Sequence, residues 1–294
     1  MEIKKNDILT VEITDTGIEG EGIGKTDGFI LFVKDAVIGD TVQVKVMKAK
    51  KNYAYAKLEK VLVPSPFRVQ PPCPFHRQCG GCQLQPLSYE KQLEFKQNKI
   101  RNNLIRIGGF SPEHIDACME PIIGMVDPWH YRNKAQFPFG YDKEGNVVTG
   151  FYAGRSHNII ANTDCALGVE ENKTVLETIL AYMKKYGVSA YDETSGKGLI
   201  RHVLIRKVFA SGQLMACIVI NGNKLPEEKA LAEELWKIPG MTSVSINVNT
   251  ERTNVILGKK VRVLKGEEKI EDTIGDVVFR ISPLSFYQVN PVQT

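Results

Sequence analysis

The sequence predicts a small closed β-barrel followed by an α+β domain. Three observations predict it. Short runs of alternating apolar and polar residues, split by glycines, fill the first sixty or so positions. A proline-rich stretch with clustered cysteines and one helical segment comes next. Hairpin signatures and helix-period segments then alternate to about residue 281. The domain boundaries expected are 1–62, 63–110, 111–280 and 281–294.

The barrel strands are read from Ile8-Leu9-Thr10-Val11-Glu12-Ile13, Phe29-Ile30-Leu31-Phe32-Val33 and Thr41-Val42-Gln43-Val44-Lys45-Val46, with further strand at Tyr53-Ala54-Tyr55-Ala56-Lys57-Leu58. Gly17, Gly20, Gly22, Gly24 and Gly28 lie between the first two runs, and Gly39-Asp40 is a turn before the third. Five short strands in so few residues fit a barrel of the oligonucleotide-binding (OB) kind. The glycine stretch is no dinucleotide loop, since no buried strand precedes it and no helix follows. Pro64-Ser65-Pro66 and Pro71-Pro72 read as a stiff linker. Ser88 to about Ile107 reads as a helix capped by Ser88, with Leu93, Ile100, Leu104 and Ile107 on one face. In the α+β region, Asp142-Lys143-Glu144-Gly145-Asn146 and Ser211-Gly212 mark hairpins. Thr174–Tyr186 and Pro226–Trp236 read as helices.

Hydrophobic residues make up 43% and charged residues 24% of the 294, a balance that excludes wholesale disorder. No apolar run approaches the roughly 20 residues that span a bilayer. The start, Met1 to Asp7, has no secretory pattern, so a cytoplasmic location is expected. Net charge is only +4, but it is unevenly placed. Lys45, Lys48, Lys50, Lys51, Lys57 and Lys60 face one acid, Glu59; Lys197, Arg201, Arg206 and Lys207 face none. Clustered cations suit a polyanion, because each neutralised phosphate releases counterions.

Cys73, Cys79 and Cys82 form C-x5-C-x2-C, with Gly80-Gly81 letting the loop wrap a compact object. Thiolates are the soft ligands of zinc and of iron–sulfur clusters, and spacing alone leaves both open. His76, Cys118, Cys165 and Cys217 are candidates for a fourth ligand. Cys217 sits in an apolar strand and Cys118 ends a short segment, whereas Cys165 lies in a loop. The first gap of five argues against a radical enzyme that cleaves S-adenosylmethionine (SAM).

Four stretches now carry a resemblance. Gly20-Glu21-Gly22-Ile23-Gly24-Lys25 with Ala36-Val37-Ile38-Gly39-Asp40, the four cysteines, Tyr131-Arg132-Asn133-Lys134-Ala135 with Leu199 to Arg206, and Phe286-Tyr287-Gln288-Val289-Asn290 together resemble the TRAM-domain RNA uracil-5-methyltransferases, and within them the bacterial 23S ribosomal RNA branch. The resemblance implies a TRAM barrel for RNA, a [4Fe–4S] cluster on Cys73, Cys79, Cys82 and Cys165, and SAM-dependent methylation of uridine C5. The chemistry is addition of a thiolate to uracil C6, methyl transfer to C5 and removal of the C5 proton by a base.

The family's SAM loop, catalytic cysteine and general base lie beyond the Gln288 segment, and this chain stops at Thr294. The expectation is therefore an N-terminal portion, without its Rossmann-like methyltransferase domain and inactive alone. No catalytic residue is assigned, and by resemblance Gln288 contacts SAM. Lys48, Lys50, Lys51, Tyr53, Arg132, Lys134, Arg201 and Arg206 are the expected RNA contacts, Tyr53 as a stacking platform beside charge. His202 is expected to be a packed strand histidine. The protein is expected to be a monomer with RNA, most specifically 23S ribosomal RNA, as partner and no membrane association. The alternative is a non-catalytic RNA-binding module with a structural Fe–S or zinc site.

Overall fold

The structure is a computed structural model and describes residues 3–294. It divides into two compact units, Met1–Arg77 with Gly81–Gly124, and Gln78–Gly80 with Met125–Thr294.

In the first unit β1 (Ile8–Thr16), β2 (Gly22–Thr26), β3 (Phe29–Lys34), β4 (Thr41–Ala49) and β5 (Tyr53–Val63) close a barrel in the order β1-β2-β3-β5-β4. β5 lies between β3, to which it is parallel, and β4, to which it is antiparallel. Alternation along each strand sends Val11, Ile13, Leu31, Val33, Val42, Val44, Val46, Ala54 and Ala56 inward to one apolar core. Gly24 is required by that packing: a Cβ there would stand 2.5 Å from both Glu12 O and the Val11 side chain.

The proline-rich stretch is strapped down rather than extended. Asp40 is wholly buried and accepts from Val37 N (2.8 Å), Ser65 N (2.9 Å) and Arg68 Nε (2.9 Å) and Nη2 (2.5 Å). Arg68 also donates to Asp35 O at 2.8 Å. α1 (Tyr89–Arg106) and α2 (Pro112–Cys118) follow. Ser88 stands at the head of α1 but makes no side-chain cap, and none of α1 is buried; Ile100 and Ile107 of the expected apolar face are exposed. α2 is capped by Ser111, which accepts from His114 N, and is tied to α1 by the Arg101–Asp116 pair at 2.6 Å.

In the second unit β6 (Lys134–Tyr141), β7 (Val147–Tyr152), β8 (Ile159–Ala161), β9 (Ile200–Lys207), β10 (Leu214–Ile220), β11 (Met241–Val248) and β12 (Lys260–Gly266) form one sheet in the order β12-β11-β10-β9-β6-β7-β8. α3 (Glu171–Tyr186) ends at Gly187, whose φ of 64° supplies the left-handed cap. α4 (Glu228–Trp236) makes the crossover between β10 and the parallel β11.

The two faces of this sheet differ in character. Ala135, Phe137, Val203, Ile205, Ala216, Ile218, Val244 and Ile246 meet α3 and α4 in the main core. The opposite face carries Lys134, His202, Arg206, Ser243, Ser245 and Asn247 among fewer apolar residues. A hairpin of β13 (Ile270–Ile274) and β14 (Val277–Ile281) partly covers it, with Leu204, Val208, Met215, Cys217, Ile270 and Ile281 as a smaller core. The last residues end in a 3-10 turn, Pro291–Gln293.

Candidate nucleic-acid interface and cysteine segment

The outer face of β3, β5 and β4 gathers aromatic and basic side chains. Because inward positions alternate with outward ones, Phe32 and Lys34, Tyr53, Tyr55 and Lys57, and Lys45 and Lys48 share the exterior. Parallel pairing sets Phe32 beside Tyr55, and the β4–β5 register sets Lys48 beside Tyr55 and Lys45 beside Lys57. The rings of Phe32, Tyr53 and Tyr55 stand 5.7 Å apart pairwise, with Tyr53 edge-on to both others. Tyr55 is 41% exposed. Lys50 and Lys51 form the tip of the β4–β5 turn, closed by Lys50 N donating to Tyr53 O at 2.8 Å. Phe32 is not readable as a site residue from the sequence, because only the parallel β3–β5 pairing brings it to the tyrosines.

The central-domain residues are placed differently. Arg132 pairs through its backbone with the Cys165 loop, donating from N to Leu167 O at 2.9 Å. Lys134 is half-buried on β6, directly across from Arg206 on β9. Arg201 is buried; its Nη1 donates to Asn249 O (2.8 Å) and Glu251 O (2.7 Å), and its guanidinium lies over the Tyr191 ring. Arg206 is 1% exposed and makes one bond, Nη2 to Ser285 O at 2.9 Å, while Nε and Nη1 have no partner. Gln288 sits on a fixed backbone: Asn133 Nδ2 donates to Gln288 O and Asn133 N to Val289 O, each at 3.0 Å.

His202 is packed, and burial with the neighbouring Arg201 pushes its imidazole down to about 4. The folded state thus resists a proton that the unfolded chain takes up near pH 6.5, so His202 costs stability as pH falls from about 6.5 to 4 and costs nothing above that window. Thermal unfolding measured from pH 7 to pH 4 is expected to show a shallower loss in His202→Gln than in the unaltered protein; parallel curves would contradict this account.

The cysteine segment is ordered by hydrogen bonds. Cys79 bridges Ala153, Gly80 N donates to Tyr152 O (3.0 Å) and Gly154 N to Gln78 O (3.2 Å), so Gln78–Gly80 runs as a short extended piece of the second unit. His76 N and Nδ1 both lie within reach of Cys73 O (3.3 and 3.2 Å). Cys73 and Cys82 belong to the first unit, Cys79 and Cys165 to the second, and no disulfide is present among the described residues. Among the described residues no group of three or more His, Cys, Asp or Glu side chains gathers where it could hold a metal ion. The order of Gln78–Gly80 comes from its strand-like pairing. Cys217 is buried, its thiol pushed up to about 11 by burial; Cys118 is exposed at the end of α2.

Known proteins share this architecture. Residues 4–58 match the TRAM domain. Over 293 residues, 99% of this chain, the protein is 44% identical to an uncharacterized RNA methyltransferase of Clostridium tetani, and equally identical over the same length to one of Halalkalibacterium halodurans. The chain spans 62% of the first relative's length and 63% of the second's. The crystal structure of Pyrococcus abyssi tRNA (uracil-54, C5)-methyltransferase in complex with S-adenosyl-L-homocysteine superposes with a TM-score of 0.71. It covers 97% of this chain and 62% of its own at 24% identity, a likeness of fold. The expected fold class, in which the methyltransferase domain is absent, is thereby corrected. That expectation rests on where the chain stops, whereas 97% of the chain aligns with a methyltransferase fold rather than with the TRAM barrel alone. No helix among the described residues is long and apolar enough to cross a membrane.

Proposed function

We propose that this protein methylates RNA, with SAM as methyl donor and uridine C5 as acceptor, and that its TRAM barrel holds single-stranded RNA. The observation that carries the reading is the Phe32–Tyr53–Tyr55 face with Lys34, Lys45, Lys48 and Lys57 around it. Base stacking on aromatic rings beside phosphate-neutralising cations is how single strands are gripped without a sequence code. The relatives' names support RNA as substrate and methyl transfer as reaction. The Pyrococcus enzyme is named for uracil C5, which supports that atom as the acceptor. Its bound S-adenosyl-L-homocysteine is what SAM becomes on giving up its methyl group, which supports SAM as the donor. Ribosomal RNA of the large subunit is the RNA class proposed, on the resemblance that the four stretches carry together. Lys50, Lys51 and Arg132 are proposed as further RNA contacts, and Gln288, whose backbone Asn133 fixes, as a contact to SAM.

The target base must leave its stack to be methylated, and a face that binds neighbouring nucleotides by stacking lowers the cost of opening the strand. Two measurements test the reading. Single-stranded RNA is expected to bind with an affinity that falls linearly in log salt, by about 0.7 per phosphate contact. Labelled methyl groups from SAM are expected in ribosomal RNA and not in transfer RNA; label in transfer RNA alone removes the ribosomal assignment, and RNA binding without any label leaves a binding module.

A further inference from the structure

The polar face of the second unit's sheet holds a charge arrangement that the RNA reading of the barrel does not use. Lys134 on β6 and Arg206 on β9 are direct partners in an antiparallel register, which sets their Cβ atoms about 5 Å apart. Both project to the face opposite α3 and α4, since Ala135 and Ile205 beside them point into the main core. Neither makes an ion pair with a carboxylate among the described residues. The carboxylate of this region, Asp272, is engaged by the Tyr287 hydroxyl at 2.9 Å.

Arg206 is almost fully buried, yet only Nη2 is satisfied, by Ser285 O; Nε and Nη1 are buried and unpartnered. A buried guanidinium in that condition is costly unless something accepts its remaining N–H groups. Lys134, half-buried and paired across from it, carries a second positive charge. Burial and the Arg206 charge hold the Lys134 ammonium below its usual range, as expected of a cation short of a counter-charge. Gln136 is the next half-buried residue on this face of β6.

We propose that Lys134 and Arg206 form a binding site for one phosphate-type oxyanion, which accepts from the Lys134 ammonium and from the Arg206 N–H groups that the fold leaves unmade. Nε and Nη1 lie on different edges of the guanidinium, so one anion meets one of them together with the second N–H of Nη2, and the ammonium adds a point charge. The anion is either free inorganic phosphate or one phosphodiester of an RNA strand; the recognition chemistry is the same.

The test uses the whole chain at low salt. Inorganic phosphate is titrated while the arginine Nε–H signals are followed by NMR. One such signal is expected to move saturably and to vanish in Arg206→Lys. Lys134→Met, a half-exposed position whose melting temperature serves as the fold check, is expected to weaken phosphate by about tenfold, the loss of one charged hydrogen bond. Displacement of the phosphate by a short single-stranded RNA with hydroxyl ends assigns the phosphodiester; failure to displace assigns the free anion. If no arginine signal moves, or if a folded Lys134→Met binds phosphate as tightly as the unaltered chain, the site does not exist. The phosphate arm contains no RNA, so it stands or falls separately from the function proposed for the barrel.

Discussion

Arg68→Ala is expected to destabilise the barrel unit by about 3–5 kcal/mol, the usual cost of stripping one partner from a buried ion pair. Asp40 has no exposed surface, and its donors are Val37 N, Ser65 N and the Arg68 guanidinium. Removing the guanidinium leaves a carboxylate with two amide donors and no counter-charge. The same change frees the Asp35 carbonyl, which accepts from Arg68 Nη2. Urea unfolding followed by amide exchange of barrel residues reads the loss directly. The double variant Asp40→Asn/Arg68→Met is expected to recover a large part of it, because no charge is then buried. A single-variant loss under about 1 kcal/mol would mean that water reaches the carboxylate, the regime of exposed pairs.

Removing two rings from the barrel face should have the largest effect on binding. Stacking contributes about 1–3 kcal/mol per base, so Tyr53→Ala/Tyr55→Ala is expected to weaken single-stranded RNA by about a hundredfold. The salt dependence should keep its slope, since no cation is lost. Phe32 remains and loses ring contacts with both partners, which costs about 1 kcal/mol of stability per pair. Fluorescence anisotropy with a labelled oligonucleotide measures the affinity, and circular dichroism checks the barrel. Unchanged affinity in a folded double variant would move RNA recognition off this face.

Most of the secondary structure is legible because its cause is local. Alternation from Ile8 to Ile13 and from Thr41 to Val46 marks strands that bury one side, and Asp142 to Asn146 closes the β6–β7 hairpin with Asp142 N donating to Asn146 O. What the sequence hides depends on pairs far apart. Nothing near Asp40 announces Arg68, 28 residues on, and Pro64–Pro66 reads as a spacer rather than a strap. The apolar spacing of Leu93, Ile100, Leu104 and Ile107 suggests a buried helix face, but periodicity shows only that residues share a side, and that side of α1 is largely exposed.

The candidate site residues divide along the same line. Tyr53 beside a lysine run is visible; its partner Phe32 is not, because parallel pairing is invisible to local pattern. Arg201 and Arg206 look like surface cations in a basic run. The fold buries both, and only alternation along β9 hints that one lies at a core edge. The cysteine spacing is the sharpest signal in the sequence. Spacing does not reveal the backbone pairing of Gln78–Gly80 against Tyr152–Gly154.

The place of β5 in the barrel has a consequence for biosynthesis. Because β5 inserts between β3 and β4, the four earlier strands form an open ribbon with two bare edges until residues 53–63 arrive. A nascent chain halted before that point displays ready templates for association with its neighbours. Translation pauses or truncations ahead of Tyr53 should therefore yield insoluble material, and those past Arg68, which supplies the counter-charge of Asp40, should not.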